Sequence, residues 1–276
     1  MKRKEQKWDE FILEAAEAFD EDRYTDVIKN LDKAEKAGCK DLMLKAMRAH
    51  SNVHLHNYED ALVDIEFVLE KDKDNLSMIY YRCIVNLDLN KHEAALIAIE
   101  RLVEVHPDDS ESYCLRGICL SYLNEFERAI KDLTLAKKMG SEEPLICRQR
   151  GLSYFSLEKY KEAKADLIAY TVLNDQDHYI FFLLNIIAKK EGKLHDAIEY
   201  VSRAIYLKEG EFDYYMSRFN LYKETEQYDK WGADLNKAIA LNPEGVGVRI
   251  GGEFKSISDI INEGPEMNKP KKKKKK

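Results

Sequence analysis

The sequence predicts an all-α solenoid of seven 34-residue helix-turn-helix repeats, and three observations predict it. Ala61, Ala95, Ala129, Ala163 and Ala197 stand 34 residues apart. Four residues after this column an aliphatic recurs in every unit: Leu31, Ile65, Ile99, Leu133, Leu167, Val201 and Leu235. Three residues before it stands a ring or bulky side chain: Tyr24, Tyr58, His92, Phe126, Tyr160, Leu194 and Tyr228. One frame therefore divides the chain into seven abutting units that start at Trp8, Leu42, Leu76, Ser110, Pro144, His178 and Phe212. A fixed period of this length means stacked supersecondary units that bury their apolar faces against one another.

Within each unit apolar residues recur at three and four, the spacing of two helices of roughly 12 to 14 residues joined by a short turn. The first unit carries Val27 in the alanine column. In the first five units the eighth position is small, as Ala15, Ala49, Cys83, Gly117 and Gly151, so that facing backbones approach to about 8 to 10 Å. The fourth unit shows the pattern most plainly, with SYCLRGICLSYL as first helix and FERAIKDLTLAKKM as second. Asn90, Asn124 and Gly192 share one position between the helices, where a left-handed residue is wanted. Pro107 and Pro243 share one position between units, where a helix must stop. The last two units depart from the pattern: Asn185 and Phe219 replace the small residue and Trp231 the alanine, as expected near a terminus, where a repeat has a single neighbour.

These residues resemble the tetratricopeptide repeat, whose pattern has a small eighth residue, alanine at the twentieth and often proline near the unit's end; the resemblance covers residues 8–245. It implies a right-handed superhelix whose first helices line a concave groove, a fold that members of the family use to bind other proteins.

Composition agrees with an elongated repeat array, with 34% charged and 45% hydrophobic residues. No stretch approaches 18 consecutive apolar residues and the first ten residues lack the apolar run of a signal peptide, so the expectation is a cytoplasmic chain, with the nucleus as a second location. Five scattered cysteines, an odd number, argue for structural thiols over a disulfide framework. Charge is unevenly divided. Residues 1–264 hold 37 basic against 50 acidic side chains, whereas the end of the chain carries Lys269, Lys271, Lys272, Lys273, Lys274, Lys275 and Lys276 against Glu266 alone. A run of this kind is expected to be disordered from about residue 265 and to attract nucleic acid or an acidic protein surface.

Four other patterns lack the context their chemistry needs. His106-Pro107-Asp108 spells the tripeptide of J-domain co-chaperones but falls between repeats, without that family's basic helix. Gly245, Gly247, Gly251 and Gly252 have no strand-loop-helix unit around them. His50 and His54, one turn apart with His56 nearby, have no cysteine or carboxylate to complete a metal site. The many carboxylates show no apolar setting that would tune a general acid. No catalytic residue, cofactor or metal is therefore expected, and the chain reads as a non-enzymatic adaptor.

The resemblance raises one sharper possibility, the clamp by which some family members grip a chaperone's terminal carboxylate with lysine and asparagine. Its positions hold Ile12 and Ala16, Ala46 and His50, Tyr80 and Ile84, Cys114 and Ile118, Arg148 and Leu152, Phe182 and Ile186, and Met216 and Asn220, so the clamp is missing. What fills these positions is largely apolar. In the first six units 14 of 18 residues at the fifth, ninth and twelfth positions are apolar, the exceptions being His50, Ser121, Arg148 and Lys189. A first helix with two apolar faces is covered either by neighbouring helices or by a partner. Ile12, Phe19, Tyr80, Ile84, Leu87, Ile118, Leu152, Phe155, Phe182 and Ile186 are the candidate groove residues for an apolar peptide or amphipathic helix. The exit segment 246–264 supplies its own candidate, since Phe254, Ile257, Ile260 and Ile261 read as an amphipathic stretch that caps the last unit or enters the groove.

One covariation concerns what holds each unit together. Arg48, Arg116, Arg150 and Arg218 share the seventh position, and Asp64, Asp132, Asp166 and Asp234 follow each by 16 residues. Units without the arginine lack the aspartate, and only Arg82, with Ala98, breaks the rule. Ion pairs between the two helices of one unit are predicted.

Overall fold

The computed structural model describes residues 8–250 and 253–256. Among them fourteen helices fall into two compact units, one ending at Lys159 and the other starting at Tyr160. The first holds α1 (Asp9–Asp20), α2 (Tyr24–Lys36), α3 (Leu42–His54), α4 (Tyr58–Lys71), α5 (Leu76–Asp88), α6 (His92–Val105), α7 (Ser110–Tyr122), α8 (Phe126–Lys138) and α9 (Pro144–Ser156). Here α1 packs on α2, α3 on α4, α5 on α6 and α7 on α8, while α9 lies against α7 and α8. The second holds α10 (Tyr160–Leu173), α11 (His178–Lys190), α12 (Leu194–Leu207), α13 (Phe212–Glu224) and α14 (Tyr228–Leu241), with α10 against α11, α11 against α12 and α13 against α14.

From the second repeat on, each first helix begins at the residue that opens its repeat, and every second helix begins at the ring-or-bulky position. The residue before the first helix explains the sharp start. Asp41, Asn75, Asp109, Glu143 and Asp177 each accept a hydrogen bond from a backbone N–H of the first turn, a cap that contributes about 1 kcal/mol. Between the two helices one position is left-handed in all seven repeats. Asn90, Asn124 and Gly192 take φ of 56°, 61° and 73°, and Asp22, His56, Glu158 and Glu226 do the same without glycine's freedom.

The core lies between paired helices. All five recurring alanines are buried, as are Leu31, Ile65, Ile99, Leu133, Leu167 and Val201 of the aliphatic column. At Gly117 a Cβ would stand 2.6 Å from Leu133 Cγ, so the close approach of α7 and α8 requires glycine there. Asn185, the polar departure from the small position, is buried and satisfied, its amide donating to Phe182 O at 3.3 Å and Ser217 Oγ at 3.0 Å.

The exit segment differs from the amphipathic helical reading. After a short 3-10 turn at Pro243–Gly245, strands β1 (Gly247–Ile250) and β2 (Glu253–Ser256) pair antiparallel, with Gly247 opposite Ser256. Phe254 thus stands in a strand. Glycine is poor in helices and Val248 and Ile250 favour strands, while Gly251-Gly252 has the composition of a two-residue hairpin connection. Ile257, Ile260, Ile261 and the lysine-rich end lie outside the described residues.

Candidate partner-binding surface

In the first unit, α5 and α7 place apolar side chains side by side at the first-helix positions. Tyr80, Ile84, Cys114, Leu115 and Ile118, with Pro144 and Leu145 at the start of α9, line an open cleft of about 510 Å³. Glu111, Glu142 and Glu143 rim it. The Tyr80 hydroxyl donates to Glu111 Oε1 at 2.9 Å. Burial and that carboxylate push the Tyr80 pKa up, so the phenol stays a neutral donor. Tyr80 and Glu111 also line a second cleft of about 390 Å³, shared with Leu76, Tyr81, Leu102 and His106.

Of the ten candidate groove residues, nine are half-buried and Ile118 is buried. Tyr80, Ile84 and Ile118 come together in the cleft, and Leu87 packs on the same core. Ile12 and Phe19 lie against the core of the first repeat, and Leu152 and Phe155 are on α9. Phe182 and Ile186 belong to the second unit, where the Phe182 ring packs 4.6 Å from that of Tyr214.

The histidines form a ring cluster. His50 lies 4.7 Å from Phe19 and 4.5 Å from His54, and His54 stacks on Tyr24 at 4.6 Å. His50 Nδ1 meets the Tyr81 hydroxyl, and His56 Nδ1 turns instead to Tyr58 Oη at 2.6 Å. Burial, followed by the neighbouring His54, holds the His50 pKa below its usual value. Among the described residues no group of three His, Cys, Asp or Glu side chains could hold a metal. Cys39, Cys83, Cys114 and Cys119 are buried free thiols, and burial pushes Cys114 up to about 12, far from a reactive thiolate.

The arginines do not form a ladder open to a ligand. Arg48 Nε and Nη2 donate to Asp64 at 2.6 and 2.9 Å, Arg116 to Asp132 at 2.6 and 3.0 Å, and Arg218 to Asp234 at 2.8 and 2.7 Å. The three aspartates are buried. Their hydrogen bonds raise the pKa of each arginine above its ordinary value. The remaining arm of the fork does what the sequence reading missed, reaching back to the previous repeat's second helix. Arg48 Nη1 donates to Asp32 at 2.7 Å, Arg150 Nη1 to Thr134 at 3.2 Å and Arg218 Nη1 to Ser202 at 3.1 Å, and Arg82 lies 3.6 Å from Glu66. In Arg48 and Arg218 one guanidinium thus ties its own repeat and the one before it. A signal existed in the sequence: the residue 16 before the seventh position is Asp32, Glu66, Glu100, Thr134 or Ser202 where an arginine follows, and Ile168 where Leu184 follows.

Comparisons place this architecture. Residues 214–244 match the family model for the tetratricopeptide repeat. A tetratricopeptide repeat protein from Parabacteroides merdae aligns over 86% of this chain and 94% of its own, at 16% identity and a TM-score of 0.61. The C-terminal part of a TPR repeat-containing protein from Cytophaga hutchinsonii aligns over 84% and 95%, at 17% identity and a TM-score of 0.61. YrrB, described as a TPR protein with an unusual peptide-binding site, aligns over 65% and 93%, at 22% identity and a TM-score of 0.56. No curated relative matches the sequence. The fold is that of a tetratricopeptide repeat solenoid, and the seventh repeat matches the family's sequence model.

Proposed function

We propose that this chain is a non-enzymatic adaptor that holds an apolar peptide or amphipathic helix of a partner protein against its first helices. The cleft of Tyr80, Ile84, Cys114 and Ile118 carries the reading. It is apolar, open and about 510 Å³ in volume, enough for one or two anchoring side chains. Its acidic rim of Glu111, Glu142 and Glu143 favours an apolar segment flanked by lysine or arginine. The peptide-binding site named for YrrB supports the reading by analogy. The test is a fluorescence-anisotropy titration with a panel of amphipathic peptides, basic and acidic versions of each. Ile84→Asp should abolish binding while leaving helicity intact, and equal affinity for basic and acidic peptides would remove the role given to the rim.

A second reading rests on the lysines at 269 and 271–276, which suit a polyanion and a nuclear location beside a cytoplasmic one. Affinity for a DNA duplex that falls steeply with salt and disappears on deleting residues 269–276 would support it; salt-independent binding would not.

A further inference from the structure

The two clefts of the first unit meet at one carboxylate. The smaller runs to the turn that holds His106 and Asp109, the larger to the turn that holds Ser141, Glu142 and Glu143. Asp109 and Glu143 occupy the same last position of successive repeats, so the clefts lie one repeat apart. Tyr80 and Glu111 line both. Each cleft has an apolar part, Leu76 and Leu102 in one, Ile84 and Ile118 in the other, and neither lysine nor arginine is among the residues that line them. The carboxylates differ in what they already do. Asp109 accepts from the N–H groups of Glu111 and Ser112 and from the Ser112 hydroxyl, and Glu143 accepts from the N–H of Leu145, both as helix caps. Glu111 is held by a side chain instead, the Tyr80 hydroxyl at 2.9 Å. A carboxylate has about four acceptor sites, of which this hydroxyl takes one. The buried Cys114 thiol registers the negative field, because after burial it is Glu143 and Glu111 that push its pKa up.

We infer that Glu111 determines specificity by receiving a lysine or arginine that the bound segment carries between two apolar anchors, one anchor in each cleft. The inference rests on the function proposed above and adds an order to it, apolar–basic–apolar, where an acidic rim alone asks only for a basic residue nearby. Charge decides the occupant. An acidic segment would bring its carboxylates against those of Glu111, Glu142 and Glu143, and a wholly apolar one would cover Glu111 without giving it a partner. Helix geometry sets the spacing. Neighbouring repeats stack at about the 8 to 10 Å of packed helices, and two turns of a bound helix advance about 10.5 Å. Anchors at i and i+7 therefore reach the two clefts, with the cation at i+4 on the same face. Tyr80 is a positioning residue in this arrangement, since its hydroxyl fixes the carboxylate where the clefts adjoin.

Fluorescence anisotropy with the full chain and three labelled helical peptides tests this. The first carries leucine, lysine and leucine at i, i+4 and i+7, the second is its isomer with the lysine moved beyond the second leucine, and the third has glutamine in place of the lysine. The first should bind at least about tenfold tighter than its isomer, the effect of one charge-assisted pair. Glu111→Gln, at an exposed position, should erase that preference and leave the affinity for the glutamine peptide within about twofold. Tyr80→Phe keeps the ring and should shrink the preference to about threefold, because the carboxylate is no longer fixed. Glu142→Gln should weaken both lysine peptides alike and leave their ratio unchanged. Equal binding of the two isomers, or a preference that survives Glu111→Gln, overturns the inference and leaves the adaptor function standing. A Tyr80→Phe ratio equal to that of the unaltered chain removes the positioning role of Tyr80. Failure of all three peptides to bind overturns the inference and the proposed function together.

Discussion

In the fourth repeat the seventh position of the first helix is Arg116, gripped by Asp132 through two hydrogen bonds; in the sixth it is Leu184, fully buried, with Ile168 and Tyr200 at the positions where the fourth has Glu100 and Asp132. One position is a polar fork and the other a buried aliphatic. The difference shows that the position is not required to be charged. A buried ion pair and an apolar group of similar volume stabilise a fold about equally, because desolvation offsets most of the attraction. The fork adds direction, since its donors meet acceptors at one register only.

The two solutions are not interchangeable piecewise, and this yields the largest expected effect. Leu184→Arg puts a guanidinium into a fully buried site where the positions that hold acceptors in the fourth repeat are Ile168 and Tyr200. A loss of more than about 4 kcal/mol is expected in urea unfolding, and Tyr200→Asp in the same chain should return a substantial part. If Leu184→Arg alone is tolerated, the apolar junction is looser than its burial implies.

Breaking a fork comes next. Asp132→Ala leaves Arg116 without its bidentate acceptor, and about 3 kcal/mol should be lost, near the low end for a broken buried pair because the arginine side chain keeps 22% exposure. Replacing both, Arg116→Leu with Asp132→Leu, imitates the sixth repeat and should come within about 1 kcal/mol of the unaltered chain. The double-mutant cycle measures this directly. A double variant as unstable as Asp132→Ala would mean that the fork contributes net stability and that the comparison with Leu184 is wrong.

Much of this was legible in the sequence because a repeat reports each position several times. The helix starts, the left-handed turn and the arginine–aspartate pairing each recur, and recurrence separates a structural requirement from accident. What was missed occurs once or spans two repeats. The hairpin beyond Val246 has no counterpart, so Phe254 was read with the isoleucines that follow as a helical stripe, although Gly251-Gly252 between short apolar runs is itself a hairpin signal. The backward arms of Arg48, Arg82, Arg150 and Arg218 were missed because their partners stand two residues past the aspartate column, at the twenty-fifth position of the previous repeat. Among the groove residues, Tyr80, Ile84 and Ile118 line one open cleft, yet Ile118, in the same slot as the half-buried Ile84, is buried. Slot identity fixes direction along a helix, and the width between neighbouring helices then decides exposure.

Arg82, the exception to the pairing rule, gives the smallest effect and the sharpest test of which arm matters. Its own second helix offers Ala98, so the forward arm has no acceptor at that position, and its ion pair is with Glu66 of the previous repeat at 3.6 Å. That carboxylate side chain is 57% exposed and the arginine 26%. At that distance and exposure the Coulomb gain is screened by water and set against the cost of ordering two long side chains. Arg82→Leu should therefore change stability by less than about 0.5 kcal/mol, while Arg218→Leu, which strands the buried Asp234, should cost several times more. Equal losses in the two variants would shift the weight to the backward arm, which both arginines share, and the forks would then serve the stacking of repeats ahead of the pairing of helices within one.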